Sequence, residues 1–397
     1  MKFVVAACLL VAGTTACSQP GGSLELPRSA AAKAAPSSSA FKTIVLFDRS
    51  NGCAPYAGPV ALESSLYGTT TCGGRFGNGE IYSLTTAGKF QIVHSFSSDA
   101  TYPYAPVAAV GQTLYGTAAG GGAYSKGTVY SLDLHGKERW VYSFKGPPDG
   151  ASPHAGLTDV GGTLYGTTLE GGTGTNCWYY SSGCGTVFKI TPNGKESVVY
   201  SFQGGNDGFA PWAGLAAVNG VLYGVNYDGG ANSNGTIFRV TPAGAEKVLH
   251  TFGGGSDDGS QPMGNLISVN GTLYGTTEWG GTGNGGTFFS ITPSGQEQIV
   301  YSFNSNFNYD GTEPFAGVTY MNGKFYGTTT EGGASNDGTV YEVTLSGNES
   351  VLHSFMGGTD GSDPQSQLAA VKGAVYGTTL YAGTGYNSYG SIFKVTP

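Results

Sequence analysis

Residues 310–355 read DGTEPFAGVTYMNGKFYGTTTEGGASNDGTVYEVTLSGNESVLHSF, and the same order of residues recurs along most of the chain. The dipeptide Tyr-Gly marks each copy, at an interval of roughly fifty residues, a period typical of propeller blades. Its tyrosines are Tyr67, Tyr115, Tyr165, Tyr223, Tyr274, Tyr326 and Tyr376. Internal repetition is therefore the feature that decides the fold.

Each copy predicts four β-strands. In the copy quoted, residues 316–321, 324–329, 338–344 and 349–355 alternate or cluster apolar side chains, and turn residues separate them. Asn322-Gly323 joins the first two as a tight hairpin, because both residues tolerate positive φ. Gly, Thr, Ser, Tyr and Val dominate the composition and favour strands and turns over helices.

The two ends of the repeat region are complementary. Residues 42–47 (KTIVLF) match a fourth strand, and residues 390–397 end the chain on a third strand with no fourth after it. The first segment is thus expected to complete the last blade and remove the exposed sheet edges of an open array. The prediction is an all-β fold: a seven-bladed β-propeller of four-stranded blades, closed by the N-terminal strand.

The pattern DGxxPxAGL…LYGTTxxGG…GTVFxxTPxG resembles the bacterial tandem repeat called GloVer, found in choice-of-anchor surface proteins. The resemblance covers residues 41–397. It implies export and surface anchoring, and it implies no established activity.

The first forty residues predict a targeting segment and a tether. Lys2 precedes an apolar run over residues 3–12, small residues follow, and Cys17 comes next. Residues 1–16 are interpreted as a signal peptide, and Cys17 as a lipidated first residue of an outer-membrane or surface lipoprotein. Thr14 departs from the usual lipobox, so cleavage after Ala16 and simple secretion is the alternative. Residues 17–40 then form the anchor cysteine and a flexible linker.

Four further cysteines form two local couples. Cys53 lies near Cys72 in the sequence, and Cys177 near Cys184. Export permits disulfides. A metal site is not expected, because the couples have unlike spacings and lack companion histidines.

The net charge of −8, without a basic run, argues against a nucleic-acid partner. No cofactor motif occurs, so no cofactor is expected. Membrane contact is expected only through the lipid anchor, and the chain is expected to be a monomer.

The long loops follow strands two and four and therefore share one face, where a site is expected. The residue after the repeated proline varies from blade to blade at the start of the innermost strand. Its seven occupants are Tyr56, Tyr104, His154, Trp212, Met263, Phe315 and Gln365. Tyr56, Tyr104, His154, Trp212 and Phe315 are predicted to contact a flat ligand; packing of the channel is the alternative.

Two sets of acids lie on the same face. One precedes Gly-Gly after strand two: Glu170, Asp228 and Glu331, with Trp279 in blade five and Ala382 assigned to blade seven. The other precedes Gly after strand four: Asp149, Asp207, Asp258, Asp310 and Asp360. The first set is interpreted as solvated loop ends or as acid–base groups, and the second as turn caps or calcium ligands.

Blade three carries a longer loop between Gly171 and Gly185. A disulfide there would present Trp178 and Tyr179 on a rigid loop, which favours ligand contact. A lid that packs on itself is the alternative.

These features favour a binding module for a glycan or another extracellular ligand. An extracellular carbohydrate lyase or hydrolase, built on Glu170, Asp228, Glu331 and His154, is a second hypothesis, although an enzyme is not the favoured one. A structural propeller that contacts an envelope protein is a third.

Overall fold

The computed structural model describes residues 39–178, 180–305, 310–383 and 388–397, which belong to one compact unit. The predicted signal peptide, Cys17 and Tyr179 lie outside the described residues. No helix in the described part of the chain has the length and apolar character needed to cross a bilayer. The 3-10 helix Gly205–Asp207 is a short turn between blades three and four.

The strands form seven four-stranded antiparallel sheets arranged in a ring, so the predicted seven-bladed propeller is confirmed. The first four blades contain the following strands, given from the axis outward. They are Val60–Leu62, Ser65–Thr70, Glu80–Thr85 and Phe90–Ser95 in blade one; Ala108–Val110, Thr113–Ala118, Thr128–Asp133 and Glu138–Ser143 in blade two; Thr158–Val160, Thr163–Thr168, Thr186–Ile190 and Glu196–Ser201 in blade three; and Ala216–Val218, Val221–Asn226, Thr236–Val240 and Glu246–Thr251 in blade four.

The last three blades follow the same order. They contain Ile267–Val269, Thr272–Thr277, Asn284–Ile291 and Glu297–Asn304 in blade five; Thr319–Met321, Lys324–Thr329, Thr339–Thr344 and Glu349–Ser354 in blade six; and Ala369–Val371, Ala374–Thr379, Ser391–Thr396 and Ala40–Leu46 in blade seven. The strand Ala40–Leu46 pairs antiparallel with Ser391–Thr396, which confirms closure of the last blade by the N-terminal segment.

The innermost strands are shorter than the sequence predicts. In blade six the strand is Thr319–Met321 rather than residues 316–321. Ala316 does not pair within its own sheet, because its carbonyl accepts a hydrogen bond from Thr276 Oγ1 of the preceding blade at 2.9 Å. The residues before each inner strand therefore join blades instead of extending a sheet.

A short pairing also links the loop before the inner strand to the loop after strand two. It forms a two-residue ladder in four blades and a single bridge in the other three. The ladders join Ala100–Thr101 to Gly120–Gly121, Gly150–Ala151 to Glu170–Gly171, Gly259–Ser260 to Trp279–Gly280, and Gly311–Thr312 to Glu331–Gly332. The bridges join Cys53 to Cys72, Phe209 to Asp228, and Ser362 to Tyr381.

The hydrophobic core lies between blades. A phenylalanine that follows the fourth strand contacts the aromatic residue of the third strand in the next blade, as Phe202 does with Phe238 at 4.9 Å between ring centroids. At the closing junction Phe47 contacts Tyr82 at 5.8 Å, so the pattern continues through the closing seam. Phe47, Tyr82, Phe202 and Phe238 are buried. Burial of such rings is the main stabilising contribution to the ring of blades.

Two glycine positions of the motif permit this packing. The glycine of Tyr-Gly faces the third-strand aromatic, and a side chain at Gly166 would overlap the ring of Phe188. The glycine before the third strand has positive φ, 96° at Gly185, and a Cβ there would meet Pro211 of the next blade. The repeated Gly and Pro thus mark contacts between neighbouring blades.

Polar contacts also join the blades near their outer edge. At five junctions a His or Tyr of the fourth strand faces a glutamate of the next blade. The pairs are His94 with Glu138, Tyr142 with Glu196, Tyr200 with Glu246, His250 with Glu297, and Tyr301 with Glu349. The interchange of His and Tyr therefore reflects one structural role between blades.

Candidate functional site

The seven residues that follow the repeated prolines line one central cavity of about 580 Å³. Each of them is half-buried. Tyr56, Tyr104, His154, Trp212 and Phe315, predicted as ligand contacts, are therefore brought together, along with Met263 and Gln365. The volume lies in the range of small-molecule sites.

Two features of the backbone hold each of these side chains in place. The residue before each proline has positive φ, for example 54° at Ser152 and 57° at Ala210. Ser152 N donates to Lys126 O of the preceding blade at 2.8 Å, and Ser152 O accepts from Leu169 N of its own blade. On the other side, Ala155 O accepts a hydrogen bond from Thr117 Oγ1 at 2.8 Å. The position of His154 is thus fixed without involving its side chain.

Blades one to four supply an arc of aromatic side chains. Tyr56 meets Tyr104 edge to face at 5.2 Å, Tyr104 stacks on His154 at 4.7 Å, and His154 meets Trp212 at 4.6 Å. Tyr102, at the rim, also stacks on Tyr104 at 6.2 Å and is 54% exposed. Rings in contact with one another lose little freedom when a ligand binds.

His154 is neutral at pH 7. Burial lowers its pKa to about 4, although a hydrogen bond with Ser152 opposes this shift. Nδ1 lies 3.1 Å from Ser152 O and therefore donates to that carbonyl. Nε2 is then the acceptor of the ring.

Blades five and seven contribute amide side chains to the cavity. Two residues after the ring position, Asn265 and Gln367 replace the glycine or proline of the other blades. Asn265 Nδ2 donates to Gln367 Oε1 at 3.0 Å, and Gln367 Nε2 donates to Val318 O at 2.9 Å. Asn265 Oδ1 accepts from Gly214 N at 2.6 Å. This pair was not predicted from the sequence, although the departure from glycine or proline at the repeat position was a signal for it.

A smaller acidic pocket of about 340 Å³ adjoins the cavity and shares Phe315 and Gln365 with it. Its carboxylates are Glu278, Glu313, Glu331, Asp337 and Asp363. Burial, together with the neighbouring carboxylates Glu331, Glu278 and Asp363, raises the pKa of Glu313 to about 7. Glu313 precedes the repeated proline and was not singled out from the sequence.

The acids of the enzyme hypothesis fall into separate groups. Glu331 lines the acidic pocket, whereas Glu170 and Asp228 lie near Tyr180. Burial raises the pKa of Tyr180, Asp228 and Glu170 raise it further, and a hydrogen bond from the Trp212 indole lowers it. None of the three acids lines the cavity that contains His154. In blade seven the strand register places Tyr381, not Ala382, at the corresponding position.

The Asp-Gly residues close their own loops. Asp258 accepts from the backbone N–H groups of Gly253 and Gly259, both at 2.7 Å, and from His250 Nε2 at 3.2 Å. Asp207 accepts in the same way from Gln203 N and the Tyr200 hydroxyl. These contacts are those of turn caps.

His250, Asp258 and Glu297 also offer ligand atoms that lie within 4.8 Å of one another. The arrangement recurs at the junction of Tyr200, Asp207 and Glu246, where tyrosine replaces histidine. Because the geometry persists without a histidine, it is explained by hydrogen bonding between blades.

Both predicted disulfides are present. Cys53 and Cys72 have Cα atoms 5.0 Å apart, and Cys177 and Cys184 have Cα atoms 5.5 Å apart. Trp178, within the second loop, is 55% exposed and meets Phe209 edge to face at 5.0 Å. It lies in a surface groove with Pro147, Pro148 and Tyr180, apart from the central cavity. The two disulfides indicate an exported protein.

Comparison with solved structures identifies other proteins with a similar fold. A puromycin-hydrolysing peptidase from Mycobacterium tuberculosis has 12% identity and a TM-score of 0.53, over 91% of this chain and 55% of that chain. The BP39L lectin from Burkholderia pseudomallei has 10% identity and a TM-score of 0.52, over 82% of this chain and 92% of that chain. At such identities the similarity concerns the fold alone.

Other matches are to longer proteins. The chain spans 26% of the tricorn protease and 47% of a prolyl endopeptidase, with TM-scores of 0.45 and 0.49. Their identities are 10% and 13%, over 76% and 83% of this chain. Comparison with curated proteins found no match.

The family comparison agrees with the repeat seen in the sequence and in the blades. The model of the Gloeobacter/Verrucomicrobia repeat matches three times, over residues 21–177, 174–311 and 299–397. These matches span the whole propeller and include the Tyr-Gly motif of every blade. The chain therefore belongs to the Gloeobacter/Verrucomicrobia repeat family.

Proposed function

We propose that the protein is an exported binding module that holds a glycan in the central cavity of its loop-rich face. The observation that carries this proposal is the convergence of seven variable side chains on one cavity of about 580 Å³. Aromatic rings stack on the C–H faces of sugars. The arc from Tyr56 to Trp212 offers such rings in a fixed arrangement.

The lining favours binding over catalysis. No carboxylate of the described chain lines the central cavity, so a pair of acids for glycosidic cleavage is not found there. His154 supports the aromatic arc through its contacts with Tyr104 and Trp212. Its neutral ring also keeps the cavity wall uncharged.

We further propose that Cys17 carries a lipid that anchors the protein to the cell envelope. The linker of residues 18–40 would hold the propeller roughly 25–30 Å from the anchor on average. Metabolic labelling with an alkyne fatty acid tests this proposal. Label that is lost in Cys17→Ser supports it, and label that persists in this variant contradicts it.

The binding proposal is tested with the mature chain, kept soluble by Cys17→Ser, on a glycan array and in polysaccharide pull-downs. Trp212→Ala and Tyr104→Ala should lose binding by about tenfold or more, because each removes a stacking surface. Trp140→Ala is the matched control, since Trp140 lies on the outer strand of blade two and is 37% exposed. Thermal melts show whether a variant remains folded.

Other outcomes would favour the alternatives. Release of shorter glycans from a retained polysaccharide would support an extracellular lyase or hydrolase. Retention of no glycan, with a specific protein recovered from envelope extracts, would support a structural propeller. An equal loss of binding in Trp140→Ala would move the site away from the cavity.

A further inference from the structure

The central cavity is uncharged. Its lining consists of tyrosine, histidine, tryptophan, methionine, phenylalanine, asparagine and glutamine side chains, together with glycine, alanine, proline, valine and leucine. Among the described residues that line it there is no Asp, Glu, Lys or Arg. Burial of an ionised ligand group there would have no opposite charge to offset its desolvation.

The cavity also has two unlike sides. Blades one to four present the aromatic arc, whereas blades five to seven present the amides of Asn265, Gln365 and Gln367 together with Met263 and Phe315. A sugar ring has the same division, with an apolar C–H face and hydroxyl groups around its edge. The two sides therefore correspond to the two kinds of surface on one ligand.

The amides retain hydrogen-bonding capacity. Each side-chain amide nitrogen carries two hydrogens. Asn265 Nδ2 uses one on Gln367 Oε1, and Gln367 Nε2 uses one on Val318 O. Within the described chain, one N–H of each amide remains available for a ligand oxygen. Because each amide is already fixed by its partner, its remaining donor is preorganised.

The acidic pocket adds a selection by charge. Its five carboxylates lie next to the cavity, and no Lys or Arg is among the described residues that line it. A ligand in the cavity that carries a carboxylate or sulfate near Phe315 would meet like charge from those carboxylates of the acidic pocket that are ionised. The acidic pocket and the uncharged lining of the cavity therefore both disfavour anionic ligands.

We propose that the cavity selects an uncharged sugar ring, with its C–H face on the aromatic arc and its hydroxyl edge on Asn265 and Gln367. This inference rests on the binding function proposed above and defines its ligand class. Asn265 and Gln367 are then specificity-determining residues, and uronic or sulfated sugars are excluded.

The test uses neoglycoconjugates of glucose, galactose, mannose and N-acetylglucosamine, each paired with the conjugate of its own uronate. At least one neutral sugar should bind, and its uronate should bind at least about tenfold more weakly. Monodeoxy analogues of the bound sugar should identify a hydroxyl whose removal lowers the affinity about tenfold, a loss called here the deoxy penalty. That deoxy penalty should disappear in Gln367→Met or Asn265→Leu.

The deoxy penalty separates recognition from stability. An amide with only a structural role would weaken every sugar equally and leave the penalty unchanged. Gln112→Met is the matched control, because Gln112 is exposed and lies outside the cavity lining. A double variant, Glu313→Gln with Asp363→Asn, should reduce the difference in affinity between neutral and anionic conjugates.

Equal or tighter binding of the uronates would overturn the inference, as would a deoxy penalty that survives in both amide variants. Binding that depends on Trp212 but shows neither property would leave the binding module standing and remove the proposed ligand class. Absence of binding to every conjugate and to every array glycan would remove both.

Discussion

The ring of Phe41 stacks on the imidazole of His353, with centroids 3.6 Å apart and planes inclined by 4°. The register of the fourth strands places Phe41 where five other junctions have a glutamate: Phe41 pairs with Val395, as Glu349 pairs with Val343. The junction between the sixth blade and the closing strand is therefore aromatic where five others are polar. Phe41 also contacts Phe355 and Phe393.

Phe41→Ala should lower the free energy of unfolding by about 2–3 kcal/mol, because it removes a partly buried ring from three aromatic contacts. The measurement is urea denaturation followed by tryptophan fluorescence. Phe76→Ala is the control, since Phe76 is 53% exposed, and it should change stability little. Equal effects of the two substitutions would show that the closing strand does not depend on this contact.

The glutamates between blades should make stability depend on pH. Burial raises the pKa of Glu196, Glu246 and Glu297 to about 7, above their ordinary value of 4.5. Between these values the folded protein holds protons that the unfolded chain releases. The free energy of unfolding should therefore fall as pH rises through this window.

Glu246→Gln should make this fall shallower and should be more stable than the unsubstituted protein above pH 7, because it removes a charge beside Asp207. Denaturation at a series of pH values is the measurement. Glu170→Gln, on a loop outside these junctions, serves as the comparison. An unchanged pH slope in Glu246→Gln would contradict the assignment.

The disulfide of blade three should stabilise its loop. Cys177 and Cys184 are buried and belong to the same hydrophobic cluster as Phe209. Replacement of both by serine should cost about 2–3 kcal/mol, from lost loop closure and from the buried hydroxyls. The measurement is the melting temperature of the double variant compared with that of the unsubstituted protein. Persistence of full stability would show that the aromatic packing alone holds the loop.

Two glycines with positive φ test the packing between blades. Gly185 has a φ of 96° and lies against Pro211, whereas Gly220 has a φ of 78° and open space around it. Gly220→Ala should cost about 1 kcal/mol, from the backbone conformation alone. Gly185→Ala should cost at least about 3 kcal/mol, because its Cβ would also meet Thr168 O of its own blade and Pro211 of the next blade. Similar costs would mean that the blades adjust to the added methyl group.

The sequence predicted the fold well because each blade repeats the same local signals. Asn322-Gly323 predicts a hairpin, and the match of residues 42–47 to a fourth strand predicts closure. The inner strands were predicted too long because residues such as Ala316 are apolar, although their carbonyls bond to the preceding blade. Local pattern cannot distinguish a hydrogen bond within a sheet from one between sheets.

The site was predicted in part. The repeated proline located the variable ring of Tyr104, His154 and Trp212, which share the cavity. The contact of Asn265 with Gln367 joins residues that are 102 positions apart, on non-adjacent blades. Only the curvature of the ring brings them together. Glu313 was missed because only one other blade has an acid before the proline, Asp363 in blade seven, whereas the remaining five have Ala, Tyr, Ser or Gln there.

The fixed backbone around the central cavity has a consequence for how such proteins diversify. Seven side chains project from equivalent backbone sites. Main-chain hydrogen bonds hold each site, and a threonine of the preceding blade adds another bond where one is present. A substitution at one site therefore need not disturb the others. A lineage can therefore exchange these side chains singly and explore many chemical surfaces on an unchanged frame. Paralogues of this chain should differ most at these seven sites while conserving the residues that flank them.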